Sequence, residues 1–150
     1  MSVIVRTIAR MLVPVALVFG AYVIMHGHLT PGGGFQGGAV AASALALILV
    51  SFSAKELKPV KGLLSALEST GGVAFVVFAF LGIGFTFFAN AIAGMGGLFG
   101  QPVDYGPNPG YLNTSGTLPL MNWAVGLKVL AGLGSVVLLF ALFGEGEDDR

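Results

Sequence analysis

His26-Gly-His-Leu-Thr-Pro31-Gly-Gly-Gly-Phe35-Gln-Gly-Gly38 is a short, glycine-dense hinge between two long apolar runs. Pro31 cannot continue a helix, and it drives Thr30 toward extended backbone. Gly32, Gly33 and Gly34 permit positive φ and so a tight reversal. The runs on either side therefore read as a helical hairpin. Gly34, Gly38 and Ala42 recur at four-residue spacing where the second run begins. Small residues so spaced let a neighbouring helix backbone approach closely. Pro31, Gly32, Gly33, Gly34, Phe35, Gly37 and Gly38 are thus the expected structural and helix-packing residues of the hinge.

The surroundings of the hinge decide its solvent. The chain has 150 residues, 55% of them hydrophobic and only 9% charged, with a mean hydropathy of +0.91. Soluble domains carry about 25% charged residues. The deficit means that the surface faces lipid or other membrane subunits. Formal charge is zero, and no basic tract suggests a nucleic-acid partner. No cysteine is present, which excludes disulfides, cysteine-held Fe–S clusters and zinc thiolates within the chain. His26 and His28 are its only histidines, too few for a self-contained transition-metal site.

Four apolar segments reach the roughly 20 residues that span a bilayer. They run from about residues 8 to 25, 35 to 53, 67 to 92 and 120 to 143. The expected fold is all-α, with four transmembrane helices in a multi-pass protein of the cell membrane. Lys55-Glu-Leu-Lys-Pro59-Val-Lys61 reads as a polar linker between the second and third spans. A Gly/Pro/Asn-rich loop, residues 93 to 119, joins the third to the fourth. Asp104-Tyr-Gly-Pro-Asn-Pro-Gly110 within it reads as consecutive turns, and Glu145 to Arg150 as a solvated, frayed tail.

Basic residues set the orientation. With the N-terminus in the cytoplasm, Arg6, Arg10, Lys55, Lys58, Lys61 and Arg150 all fall on the cytoplasmic side, as the positive-inside rule requires. Both termini are then cytoplasmic, and the hinge lies on the outer side. The first segment lacks a small-x-small cleavage site, so it reads as a retained span and not as a signal peptide.

Gly32-Gly-Gly34-Phe-Gln-Gly37 spells the G-x-G-x-x-G dinucleotide fingerprint, but that motif needs a preceding strand and a βαβ unit. Membrane helices on both sides remove this reading. No Lys-Ser/Thr follows the glycines, which removes a P-loop as well. The chemistry-bearing candidates lie elsewhere. His26 and His28 read either as a proton relay or ion ligand near an outer mouth, or as interfacial groups capping the first helix.

Lys128 stands about eight residues into the fourth span, or ~12 Å, near the middle of a ~30 Å core. It costs roughly several kcal/mol there unless it meets water, a carboxylate or carbonyls. Ala124, Lys128, Ala131, Gly132 and Ser135 share one face, and its small residues favour helix contact. No carboxylate of the chain is expected at that depth, so compensation is expected from other subunits. Glu68, at the start of the third span, either caps that helix with Ser65 or lines a cytoplasmic entry. Asn90, Asn122, Thr86 and Gln36 read as interhelical hydrogen-bonders, Trp123 as an interfacial anchor, and Phe75 to Phe88 as apolar bulk.

Gly27-His28-Leu-Thr-Pro31-Gly-Gly-Gly-Phe35-Gln-Gly-Gly38 resembles the G-H-x-x-P-G-G-G-F-x-G-G signature of the MnhB domain. That domain forms the B subunit of Mrp-type multisubunit Na+/H+ antiporters. The four-span layout is similar too, so the resemblance implies one MnhB-like domain over residues 1–150. It implies a non-catalytic subunit without a cofactor of its own, in a hetero-oligomer of Mrp-like membrane subunits that moves Na+ and/or H+. Similar subunits occur in archaeal membrane-bound hydrogenases and sulfur-reducing complexes. The fourth span departs from the antiporter pattern at Asn122 and Lys128, which directs the expectation toward such a respiratory complex. A stand-alone antiporter and a self-sufficient homo-oligomeric transporter are the alternatives, and a purely structural membrane protein is a third. Within the first reading, Lys128, Glu68, His26 and His28 are the ion-path candidates.

Overall fold

The computed structural model describes residues 2–52, 54–103 and 110–147, with backbone alone for 145–147. It contains α1 (Val3–Met25), α2 (Gly34–Ser51), a short α3 (Ala54–Leu57), α4 (Val60–Phe80) and α5 (Leu118–Glu147). Among the described residues, four helices are long and apolar enough to cross a membrane: α1, α2, α4 and the stretch Leu118–Gly144 of α5. The all-helical multi-pass reading therefore holds.

Side by side, the four run in the order α1, α2, α5, α4, and glycines set each contact. Between α1 and α2, a methyl at Gly20 would lie 2.8 Å from the carbonyl of Gly37, and one at Gly37 would lie 2.6 Å from the carbonyl of Gly20. Between α2 and α5, a methyl at Gly34 would collide with the carbonyl of Asn122. One at Gly38 would lie 2.6 Å from the carbonyl of Gly126. Between α5 and α4, a methyl at Gly71 would lie 2.7 Å from the carbonyl of Ala124. Lipid is as apolar as leucine, so helices gain little from hiding apolar area and associate through close packing instead. Gly34 and Gly38 do serve the close approach their spacing suggests, and the approaching helix is α5 of the same chain.

Each contact also has a direction. Gly20 meets Ala41, and Arg6 and Arg10 lie over the Phe52 ring at 5.7 and 5.8 Å, so α1 and α2 are antiparallel. Gly34 meets Asn122 and Gly134 meets Leu45, so α2 and α5 are parallel. A cluster of Leu64, Ala131 and Leu138, flanked by Leu45, Leu57, Val60 and Leu142, closes the end where the basic residues gather.

The third span differs from expectation at both ends. It begins at Val60, because Pro59 at φ −62° already has helical backbone and Val60 packs on the Leu64 cluster. The linker is therefore not merely polar; α3 carries Leu57 into the same cluster. Ser65 and Glu68 lie inside α4 and do not cap it. The helix ends at Phe80, twelve residues before the expected boundary of residue 92. The chain reverses there: Phe88, at φ 62°, donates its backbone N–H to the carbonyl of Ala79 at 3.0 Å. Phe87 and Phe88 pack on Phe80 and Phe75. Continued helix would forfeit this aromatic cluster and would need Gly82 and Gly84 in its interior, where glycine is unfavourable. The expected turns at 104–109 and the tail from 148 lie outside the described residues.

Gly38 and Gly62 are both helical, but no atom lies within 4 Å of where a methyl at Gly62 would go. Alanine is the better helix former by up to about 1 kcal/mol. Gly62→Ala should therefore leave or raise the melting temperature of the solubilised protein. Gly38→Ala should lower it, by a destabilisation of about 1–3 kcal/mol from overpacking. Thermal unfolding of the two variants side by side checks this.

Candidate functional site

The hinge is built almost wholly from backbone. His26 ends α1, donating its N–H to the carbonyl of Tyr22 at 2.9 Å, while its own carbonyl accepts from Leu29 at 2.9 Å and Thr30 at 3.1 Å. Gly33 is the one glycine of its triplet that uses positive φ, at 148°, and it leads into α2. Gly33, Gly34, Gly37 and Gly38 are buried, whereas Pro31 and Phe35 are exposed. The four glycines therefore make the helix contact, and Phe35, 60% exposed, stands outside it. Asn122 of α5 sits beneath the hinge. A methyl at Gly27 would lie 2.8 Å from its Nδ2, and one at Gly33 would lie 3.7 Å from its Oδ1.

His26 packs against Tyr22 with the rings tilted by 31° and their centroids 4.2 Å apart. Nδ1 of His26 and both ring nitrogens of His28 are buried without a hydrogen-bond partner among the described residues. Burial, chiefly, holds the His28 pKa below the usual imidazole value, and a charge on His26 acts in the same direction. The backbone of Tyr111 and Met25 pulls the other way, in geometry too poor to count as hydrogen bonds. Among the described residues, no three His, Cys, Asp or Glu side chains gather into a metal site.

Lys128 and Glu68 form the second feature, one helical level further in. Lys128 lies six residues beyond Asn122, or ~9 Å along α5. Its Nζ stands 3.9 Å from Oε1 of Glu68, with the two side chains 53% and 42% exposed. The expectation that no carboxylate of this chain shares that depth is therefore wrong. Placing the start of the span at residue 67 put Glu68 at the interface. The start at Val60 puts Glu68 eight residues in, or ~12 Å. Lys128 and Glu68 are thus brought together, whereas His26 and His28 stay at the hinge.

Two further arrangements carried little sequence signal. Asn90 fastens the outer loop to the start of α5. Its Nδ2 donates to the carbonyl of Ser115 at 2.9 Å, and its Oδ1 accepts from the Thr117 N–H at 2.8 Å. It joins a loop to a helix end, not one helix to another. An apolar groove of about 420 Å³ runs between α1 and α4 over α5, lined by Ala21, Ile24, Gly71, Phe78, Trp123 and Gly126 among others.

A family described as a domain related to the MnhB subunit of Na+/H+ antiporters matches residues 4–135. This chain belongs to the MnhB-related family. It is 35% identical over 127 residues to an uncharacterized protein, MJ1307, of Methanocaldococcus jannaschii, covering 81% of this chain and 45% of that protein. It is 42% identical over 56 residues to a Staphylococcus aureus protein named as antiporter subunit mnhB2, covering 37% of this chain and 40% of the relative. The chain thus spans less than half the length of the curated relatives it matches. The glycine hinge lies inside the matched family region, as do Glu68 and Lys128.

A depressed His28 pKa links stability to pH. The unfolded chain takes up a proton near pH 6.5, while the folded ring resists it. The contribution is present above about pH 6.5 and is lost as pH falls below it. The melting temperature should therefore drop between pH 7.5 and 5.5, and His28→Gln should flatten that part of the profile. An unchanged slope in the variant would remove His28 from the account.

Proposed function

We propose that this chain is a non-catalytic subunit of a multisubunit Mrp-type cation/proton-translocating assembly, working beside other membrane subunits and lipid. The observation that carries the reading is where its charges stand. Among the described residues, Glu68 and Lys128 form an ion pair within the spans, half-exposed at the edge of the helix row, whereas Arg10 of α1 lies over Phe52 at the end of α2. Coupled ion or proton translocation normally uses several intramembrane ionisable groups in a chain. One perimeter pair does not make such a chain by itself, but it can join one whose other ionisable groups lie on neighbouring subunits beyond the α4–α5 seam. The family match and the name of the Staphylococcus aureus relative support the antiporter class.

In this reading residues 1–150 act as one domain, with both termini in the cytoplasm and the hinge outside. Lys128 and Glu68 face the path of Na+ or H+, and His26 and His28 stand near its outer edge. The assembly we favour is a respiratory complex with an Mrp-like arm, such as a membrane-bound hydrogenase or sulfur reductase. Lys128 in the fourth span favours it over a stand-alone antiporter.

Purification of the tagged chain in mild detergent should bring other membrane subunits with it in fixed ratio. Isolation of the chain alone as an active homo-oligomer would overturn the reading. In the assembled complex, Lys128→Ala should lower cation or proton transport while subunits still co-purify. Wild-type transport in that variant would reduce Lys128 to a packing role.

A further inference from the structure

We infer that the seam between α4 and α5 is an interface with a different membrane subunit, which meets the Lys128–Glu68 pair with uncharged hydrogen-bonding groups. The inference rests on the hetero-oligomeric reading above and adds where the neighbour sits and what it carries.

The geometry of the seam is reciprocal. The Lys128 ammonium lies 3.5 Å from where a methyl at Gly72 would go, and the Glu68 carboxylate lies 3.5 Å from the same point at Gly132. Each charged side chain thus lies across a glycine of the opposite helix. The Lys128 ammonium stays level with Gly72 and does not reach toward a membrane surface, so snorkelling is not its solution. The seam also continues as a polar stripe. Ser65, Glu68, Ser69 and Gly72 share a face of α4 at i, i+3, i+4 and i+7 spacing, with both serines exposed. Lys128, Gly132 and half-buried Ser135 share a face of α5 in the same manner.

Acyl chains cannot cover such a stripe. An ammonium has three donors, and a carboxylate accepts at about four positions. A single 3.9 Å contact leaves most of these unmet, and hydrocarbon offers none. What covers the seam must therefore bring both donors and acceptors. The pair is formally neutral, so an unpaired charge on the neighbour would be left uncompensated at this depth. Amide or hydroxyl side chains, alone or with water held between the subunits, fit this requirement. Gly72 and Gly132 keep the floor of the seam shallow enough for such groups to reach the charges. Other perimeter positions differ in kind: Phe140 and Phe143, each 74% exposed, suit lipid.

The test places a photo-crosslinking phenylalanine analogue at Ser69 in the complete complex, with a second variant at Ser65 in case the first fails to assemble. After irradiation, mass spectrometry identifies the attached peptide. The expected product is one transmembrane segment of another subunit, with an Asn, Gln, Ser, Thr or Tyr within one helical turn of the attachment point. Adducts to lipid alone, to a second copy of this chain, or to a segment presenting an unpaired acid or base would overturn the inference. Lipid adducts within an otherwise intact complex would defeat the seam alone. A wild-type chain that purifies without partners would defeat the hetero-oligomeric reading as well.

Discussion

The close approach of α2 to helices on both its sides is the constraint from which the rest of this structure follows. Gly37 opens one side to α1, and Gly34 and Gly38 open the other to α5. In a bilayer the hydrophobic effect does little to bring helices together, so backbone contact and dispersion must do so. Any side chain at these positions would hold the helices apart. The hinge is a consequence of this contact. The chain must turn within a few residues and begin α2 against Asn122, and glycine is what fits there.

The same constraint shapes what the protein can do. Among the described residues, glycine and alanine bring the helices of the row into backbone contact. Ionisable groups are thereby displaced to the edge, where Lys128 and Glu68 meet across α4 and α5. Function then depends on neighbours that complete the surroundings of the pair. This accounts for a membrane protein with few charges, an intramembrane pair between Lys128 and Glu68, and apolar side chains exposed along most of α1.

Four spans, the hairpin and the packing role of Gly34 and Gly38 were legible because hydropathy and glycine spacing are local signals. The pairing of Glu68 with Lys128 was not. It depends on where α4 begins, and hydropathy alone set that boundary seven residues late, since Leu63 and Leu64 are separated from the main apolar run by Ser65 and Glu68. The early end of α4 was hidden for the opposite reason. Phe85, Phe87 and Phe88 suit an apolar helix, and what stops it is the packing of Phe87 and Phe88 back on Phe80 and Phe75, with Gly82 and Gly84 unfavourable inside a helix. The place of Asn122 beneath the hinge has no sequence signal, because it joins residues about ninety positions apart.

The glycine hinge is packed backbone, not an exposed turn. Amide hydrogen exchange on the solubilised protein tests this by comparing the Gly37 and Gly38 amides with those of Gly94 and Gly97 in the outer loop, where a methyl would meet nothing within 4 Å. The account predicts that the Gly37 amide, bonded to the Gly33 carbonyl at 3.0 Å, exchanges as slowly as the interior of α2. Exchange of the Gly37 and Gly38 amides at the rate of the outer loop would contradict it.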